Sequence, residues 1–362
     1  MSSRHPRRGA SWPASVAIIA ALALAACSSA ATTAPSVAAA PSASTAAVVP
    51  SAAPSAPAKT LQLAYISFAV ANSYDAPMLA AAQAAAAAGD AQLTVMDGNL
   101  DPATQTKQLQ DAITAGKYDG IVLQPVYGAA LVTGAQAAIA KGIAIGNIDQ
   151  ILGTDFTTAD SQVQGQSANV IFVASNLGKK IADLAIQACT AANANPCKVG
   201  YIFSVKAAAL DQELRKAFDA EIAGKNIQVV AEGESFYTPA AGLKATQDML
   251  TAHRDLNVIM GADQAITGAL QAVTTAGVKG KVLLVGYGGG AVALQGIASG
   301  DRFGTVMQAP ATEGRLGITD LIQAIRTGTP VPGVDVLANL PNGGVVTKDN
   351  VATFLPLAEW PG

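Results

Sequence analysis

Leu61-Gln62-Leu63-Ala64-Tyr65-Ile66-Ser67 is an apolar run of strand length, and the segment Phe68 to Tyr74 separates it from an alanine-rich stretch over 75–88. A short continuous apolar run reads as a strand buried on both faces, and an alanine-rich stretch of several turns reads as a helix. The unit then recurs. Gln92–Met96, Gly120–Gln124 and Ile143–Ile148 read as further buried strands, with helices over 102–115 and 128–141 between them. Asp101-Pro102 marks a helix start, an N-cap followed by proline at the first helical position. The pattern pauses around Phe156–Asp160 and resumes with a long helix near 164–190. Strands follow at Val199–Ser204, Ile227–Ala231, Val258–Gly261, Val282–Val285 and near Phe303–Gln308, again with helices between. Alternation of this kind gives parallel sheets covered on both faces, and its two blocks predict an α/β fold of two similar doubly wound lobes. Residues 59–362 are of the right length for two lobes of about 150 residues each.

Ahead of the first strand lie two segments of different character. Arg4, Arg7 and Arg8 precede an uncharged apolar stretch, Ala14 to Ala26, which is short for a bilayer span and has the form of a secretory signal. The stretch closes on Leu24-Ala25-Ala26-Cys27, which looks like the lipobox of bacterial lipoproteins. That resemblance implies a signal peptide over 1–26, cleaved before Cys27, and lipidation of Cys27. From Ser28 to Ala58 the chain uses only Ala, Ser, Thr, Pro and Val. Such a segment has no apolar periodicity to offset ordering entropy, so 27–58 reads as a lipidated cysteine and a disordered tether. As a flexible coil it spans roughly 30 Å.

Loss of the three arginines with the signal moves the formal charge from −3 to −6. An acidic, sparsely charged domain has no electrostatic footprint for nucleic acid or anionic lipid. Membrane contact is expected through the lipid anchor only, and the protein is expected to be monomeric. Beyond Cys27 the chain has Cys189 and Cys197, with Asn193, Asn195 and Pro196 between them. In an oxidising compartment, with a turn-rich connection, a disulfide that staples a helix end to the next strand is expected, against the alternative of two free buried thiols.

Three stretches carry a family likeness: Leu63 to Tyr74, with Asn72-Ser73-Tyr74 after the first strand; Val258 to Gly277, where Asp263 precedes Thr267-Gly268-Ala269-Leu270-Gln271-Ala272; and Val285-Gly286-Tyr287 followed by Thr305-Val306-Met307-Gln308. The closing Gly344-Val345-Val346-Thr347-Lys348-Asp349-Asn350-Val351 adds to it. In order and spacing the chain resembles the type I periplasmic solute-binding proteins of ABC transporters, in the ribose- and galactose-binding-like branch. Repressors of the lactose type share that core but begin with a helix-turn-helix, where this chain has a signal and a tether. The resemblance implies three crossings between lobes, near Ala159, near Gln308 and near Thr327 to Pro330. The N-terminal lobe would then comprise 59–159 plus 309–328, and the C-terminal lobe 160–308 plus 329–362.

Ligands of open α/β sheets bind outside the carboxyl ends of the strands, and two facing edges make a closable cleft. Candidate ligand-binding residues are those just after each strand: Phe68, Asn72, Tyr74, Asp97, Gln124, Tyr127, Asp149 and Gln150 from the first block, and Phe203, Lys206, Phe236, Tyr237, Asp263, Tyr287 and Gln308 from the second. Carboxylates and amides can each bind two hydroxyls, and aromatic faces pack on the C–H face of a sugar ring. Asp149 and Asp263 lead because both follow buried strands. Against these readings, Tyr74, Tyr127 and Phe203 can simply pack, Asp97 and Asp263 can cap helices, and Gln308 can bond hinge backbone.

Where the ribose-binding pattern has Asp-Arg, this chain has Asp149-Gln150; an arginine gives way in the region of Asp211-Gln212, Asn-Asp becomes Ala262-Asp263, and a later aspartate becomes Gly288. With no guanidinium fork in view, an anionic ligand is disfavoured. A neutral, partly apolar ligand is expected, a sugar or polyol first and a cationic or aromatic compound second. Gly286-Tyr287-Gly288-Gly289-Gly290-Ala291 matches a dinucleotide fingerprint in form, but it lies late in the chain and no acidic residue follows at the required distance. His253 is the one histidine left after the signal, so neither a zinc site nor a catalytic triad is expected, and no cofactor. The combined reading is an extracytoplasmic, lipid-anchored, non-enzymatic binding protein that delivers a small ligand to an ABC permease. The alternative is a ligand-sensing protein that docks to a membrane receptor.

Overall fold

Leu63, Ala64, Tyr65 and Ile66 are fully buried. Four consecutive covered residues require a sheet packed on both faces, which is why the run shows no polar alternation. They lie in β1 (Leu61–Ser67), which pairs in parallel with β2 (Ala91–Asp97) on one side and β3 (Gly120–Leu123) on the other. The computed structural model describes residues 59–362; the signal expected over 1–26, Cys27 and the tether lie outside the described residues.

The first lobe continues with β4 (Ala144–Asp149), and its strands alternate with α1 (Asp75–Ala88), α2 (Pro102–Ala115) and α3 (Gly128–Ala140). Asp101 caps α2 as its sequence suggests, its carboxylate accepting from the Ala103 N–H at 2.9 Å ahead of Pro102. After β5 (Ala168–Ile171) and α4 (Ala174–Ala191), the second lobe runs through β6 (Cys197–Phe203), α5 (Ala209–Ile222), β7 (Ile227–Glu234), α6 (Pro239–Ala252), β8 (Val258–Ala262), α7 (Asp263–Thr275), β9 (Leu283–Gly288), α8 (Ala291–Ser299) and β10 (Gly304–Met307). The chain then returns through α9 (Pro310–Thr327) and β11 (Val334–Asp335), and ends in the second lobe with β12 (Val345–Thr347) and α10 (Val351–Phe354).

The strand orders are β2-β1-β3-β4-β5-β11 and β7-β6-β8-β9-β10-β12. The two sheets thus share one topology, parallel throughout except that β12 is antiparallel to β10. Cys189 in α4 is bonded to Cys197 at the start of β6, with the Cα atoms 5.6 Å apart.

Two sequence expectations are corrected here. The helix expected near 164–190 begins only at Ala174, because residues 168–171 form β5, paired with β4 in the first sheet. The run Ala168-Asn169-Val170-Ile171 is too short and too close to the alanine-rich helix to stand out by periodicity. Its pairing is fixed by contacts distant in sequence: Asn147 donates to the Asn169 side-chain oxygen at 2.9 Å, and Asn169 in turn donates to the Ala159 carbonyl at 2.7 Å. The first crossing accordingly lies at Phe172–Val173, not near Ala159. Likewise β11 pairs with β5, so the last crossing follows Asp335 instead of lying at Thr327–Pro330. Between β10 and α9, at Gln308, the chain leaves the second sheet for a helix that packs on α1 and β4.

Candidate functional site

In each sheet the strand order reverses at one place, between β1 and β3 and between β6 and β8. A crevice forms at such switch points, outside the strand carboxyl ends. The two crevices face each other across a small cavity of about 40 Å³, lined from both lobes. From the first lobe Phe68, Asn72, Tyr74 and Asp75 line it from the turn after β1, and Asp149 and Gln150 from the end of β4. The second lobe supplies Leu210, Tyr237, Ala262, Gln264, Tyr287 and Gly288. The crossings add Phe172 and Gln308, and the C-terminal tail adds Trp360. The lobes touch across the opening, where Phe68 and Tyr237 meet edge to face with centroids 6.2 Å apart; Tyr74 and Trp360 do the same at 5.6 Å.

Beneath the first-lobe wall sits Gln124, wholly buried. Its amide nitrogen donates to Asp75 Oδ1 at 2.6 Å and to Asp149 Oδ2 at 3.2 Å, and its oxygen accepts from the Phe68 N–H at 3.1 Å and the Tyr65 hydroxyl at 3.2 Å. Gln105 braces the same corner from α2, donating to the carbonyls of Ser67 and Gln124 at 2.7 and 2.8 Å. One neutral amide therefore holds two buried carboxyl groups. Burial, helped by the Asp149 charge, pushes Asp75 well above the ordinary carboxyl range, and burial pushes Asp149 up to about 7 against the opposing Gln124 bond. Among the described residues no lysine, arginine or histidine lines the cavity. Phe236 (φ 48°) and Tyr237 (φ 53°) adopt left-handed backbone that bulky residues rarely take, whereas Asp149 (φ 69°) is of a type that adopts it readily. Such strain gathers where side chains are held for binding.

The second-lobe wall is built differently. Tyr287 and Ser204 share a hydroxyl hydrogen bond at 2.7 Å. Asp263 turns inward, accepting from the Gly289 N–H at 2.6 Å, Thr305 Oγ1 at 3.0 Å and Arg302 Nη1 at 3.1 Å. Gly286 makes room for this, since a Cβ there would stand 2.0 Å from Asp263 Oδ1. Gly288 (φ 128°) lets Trp360 close on the strand end: a Cβ would lie 2.7 Å from the indole, whose N–H donates to the Gly288 carbonyl at 2.9 Å. The glycine run thus serves close backbone approach.

A family model described as periplasmic binding protein domain matches residues 63–329. The chain belongs to the periplasmic binding proteins. The D-allose-binding periplasmic protein of Escherichia coli (strain K12) is 26% identical over 237 residues, covering 62% of this chain and 71% of the relative. Ribose import binding protein RbsB of the same strain is 25% identical over 227 residues, 62% of this chain and 72% of that one. Among solved structures, a Mycobacterium smegmatis ABC transporter solute-binding protein with bound glycerol superposes with a TM-score of 0.70 at 25% identity, covering 84% of this chain and all of that one. A Bacillus halodurans solute-binding protein with bound myo-inositol shares the fold, with a TM-score of 0.69 at 16% identity, covering 82% of this chain and 98% of that one. This is therefore a type I periplasmic binding protein of ABC transporters and not an enzyme. Among the described residues no helix is long and apolar enough to cross a membrane.

Of the residues expected at the cleft of this periplasmic binding protein, Phe68, Asn72, Tyr74, Asp149, Gln150, Tyr237, Tyr287 and Gln308 line the cavity together. Gln124 lies behind the wall, positioning Asp75 and Asp149. Asp263 is held inward by Arg302, whose guanidinium was not foreseen because residue 302 lies far along the chain. Tyr127 precedes α3 and is 47% exposed, outside the cavity. Lys206 is drawn to the far edge of β7, pairing with Glu232 at 2.6 Å while its own N–H donates to Glu234. Asp97 shapes its own loop, accepting from the N–H groups of Val70 and Asn99; Phe203 packs in the core; Phe236 points outward and is 54% exposed. Asp211 accepts from the Ser204 N–H at 2.6 Å, leaving its neighbour Leu210 on the cavity. Asp75, Phe172, Gln264 and Trp360 went unforeseen. Asp75 reads as an N-terminal helix residue, and Trp360 lies in a tail with no periodicity to place it.

Proposed function

We propose that this protein is an extracytoplasmic binding protein, anchored by lipid at Cys27 and tethered through residues 28–58, that captures a sugar or polyol between its lobes and delivers it to an ABC permease. The observation that carries the reading is the wall chemistry. Carboxyl and amide groups (Asn72, Asp149, Gln150, Gln264, Gln308) and aromatic rings (Phe68, Tyr74, Tyr237, Tyr287) line one cavity together. Ligand contacts made from both lobes at once stabilise the closed arrangement, and the three crossings absorb the rotation that opens it. The permease then reads the relative placement of the lobe surfaces. The names and bound molecules of the relatives, allose, ribose, glycerol and inositol, favour the same ligand class.

A thermal-shift screen of sugars and polyols is the test. A true ligand at a hundred times its Kd stabilises the fold by about 2.7 kcal/mol, and small-angle scattering should show a more compact particle with ligand than without. Absence of any stabilising sugar or polyol, or identical dimensions with and without a stabilising one, would refute the reading.

A further inference from the structure

We propose that the preferred ligand is a hydroxylated compound bearing a protonated amine, an amino sugar or an aminocyclitol, with Asp75 as its counter-ion. This rests on the capture function above and narrows its ligand class.

Asp75 is 3% exposed, lines the cavity, and has one oxygen, Oδ2, without a hydrogen-bond partner. Its other oxygen shares the Gln124 amide with Asp149, so the two carboxyl groups flank one corner of the cavity with only a neutral donor between them. Behind them Glu313, at the start of α9, is wholly buried and both of its oxygens lack partners. Two acidic groups thus face a cavity with no cation in its wall, and a third is buried without a partner outside that wall. The buried arginine of the second lobe cannot serve, since Arg302 is committed to Asp263.

Buried carboxylates are strongly disfavoured unless paired. An ammonium at Asp75 Oδ2 supplies the missing partner and a charge-assisted hydrogen bond. Tyr74 and Trp360, which meet edge to face across the opening with centroids 5.6 Å apart, add aromatic surface attractive to a cation. Asn72, Gln150 and Gln308 remain to bind hydroxyls. Burial raises the Asp75 and Asp149 pKa values in the cavity without ligand, and a bound cation would return both toward their charged forms.

Isothermal titration with matched pairs tests this: glucose with glucosamine, galactose with galactosamine, and myo-inositol with its monoamino derivative. In at least one pair the amine should bind the wild-type protein about tenfold or more tightly than its hydroxyl partner. Asp75→Asn keeps the shape and the acceptor for Gln124, and it should collapse that ratio toward unity. Should it fail to fold, Asp149→Asn takes its place, and the wild-type ratio stands as evidence by itself. Neutral members binding as tightly as, or more tightly than, the amines in every pair would overturn the inference while leaving the capture function intact, as would a ratio that survives Asp75→Asn. No binding by any member would overturn the inference and leave the capture function to the wider screen of sugars and polyols.

Discussion

Gln124 and Asp263 stand at the same place in the two lobes, each directly after the strand beside the switch point, β3 in one sheet and β8 in the other. Both are buried and both organise the wall above them. They do opposite things. Gln124 is a neutral group that holds two carboxyl groups toward the cavity, while Asp263 is a carboxylate turned away from it and met by an arginine. One topology thus carries an unneutralised recognition face in the first lobe and a self-neutralised brace in the second. A buried carboxyl after a strand is therefore not in itself a sign of ligand contact; where its countercharge comes from decides the matter.

The contrast breaks most visibly at Asp263. Asp263→Ala strands a guanidinium whose side chain is 1% exposed, and removal of one partner from a buried pair typically costs about 3–5 kcal/mol. Urea denaturation should show that loss. Replacement of both groups by apolar ones, as in Asp263→Ala with Arg302→Met, should recover at least half of it, because no unpaired charge is then left buried. A single substitution that leaves stability within about 1 kcal/mol would show that the second lobe does not neutralise itself as described.

What the sequence made legible follows the same division. Strands such as Leu61–Ser67 and the cap at Asp101-Pro102 are local patterns, set by burial on both faces and by a single side chain, and they occur where they were read. The pairing of β5 and β11 with the first sheet was not legible, because it depends on Asn147, Asn169 and a return of the chain from residue 334. The cleft face divides similarly. Residues at the carboxyl ends of strands, such as Phe68, Asp149 and Tyr287, lie on the cavity edge that the carboxyl-edge rule points to. The rule cannot say which way a residue faces, and Asp263 and Lys206 turned elsewhere because Arg302 and Glu232, distant in sequence, attract them. Trp360 reached the cavity only because glycine at 288 leaves space for it.

A smaller effect appears through pH, and it comes from buried carboxyl groups in both lobes. Burial lifts Asp149 and Asp211 to about 7 from the ordinary 3.8, and lifts Asp75 and Glu313 well above their usual values. Across that window the folded chain keeps protons that the unfolded chain has released. Stability in the absence of ligand is then fully present below the unfolded value and is lost as pH rises through the folded one. Carboxylates held low by partners, such as Asp101 and Asp301, exert the opposite pull only below their ordinary range, outside this window. Melting measured without ligand should therefore show about 1–2 kcal/mol more stability at pH ~5.5 than at pH ~7.5. A flat or rising profile between those values would mean that these buried carboxyl groups find a countercharge the structure does not show.

The finest test removes one of those carboxyl charges without changing its shape. Asp149→Asn can still accept from Gln124 through its side-chain oxygen, so the geometry of the wall is retained while the ionisable proton is lost. At pH ~7.5 the variant without ligand should be about 1 kcal/mol more stable than the parent, and its stability should vary less between pH ~5.5 and ~7.5. Its affinity for any captured ligand should fall, since a stabilised wall with one acceptor fewer recognises less. The equivalent change in the second lobe, Asp263→Asn, should lower stability at the same pH, because Arg302 then loses its countercharge. Opposite signs from the same chemical change in two lobes of one topology would separate a carboxyl group kept for a ligand from one kept for the fold. Like signs would show that Asp149, too, is paid for by its surroundings and that the asymmetry of the cleft lies elsewhere.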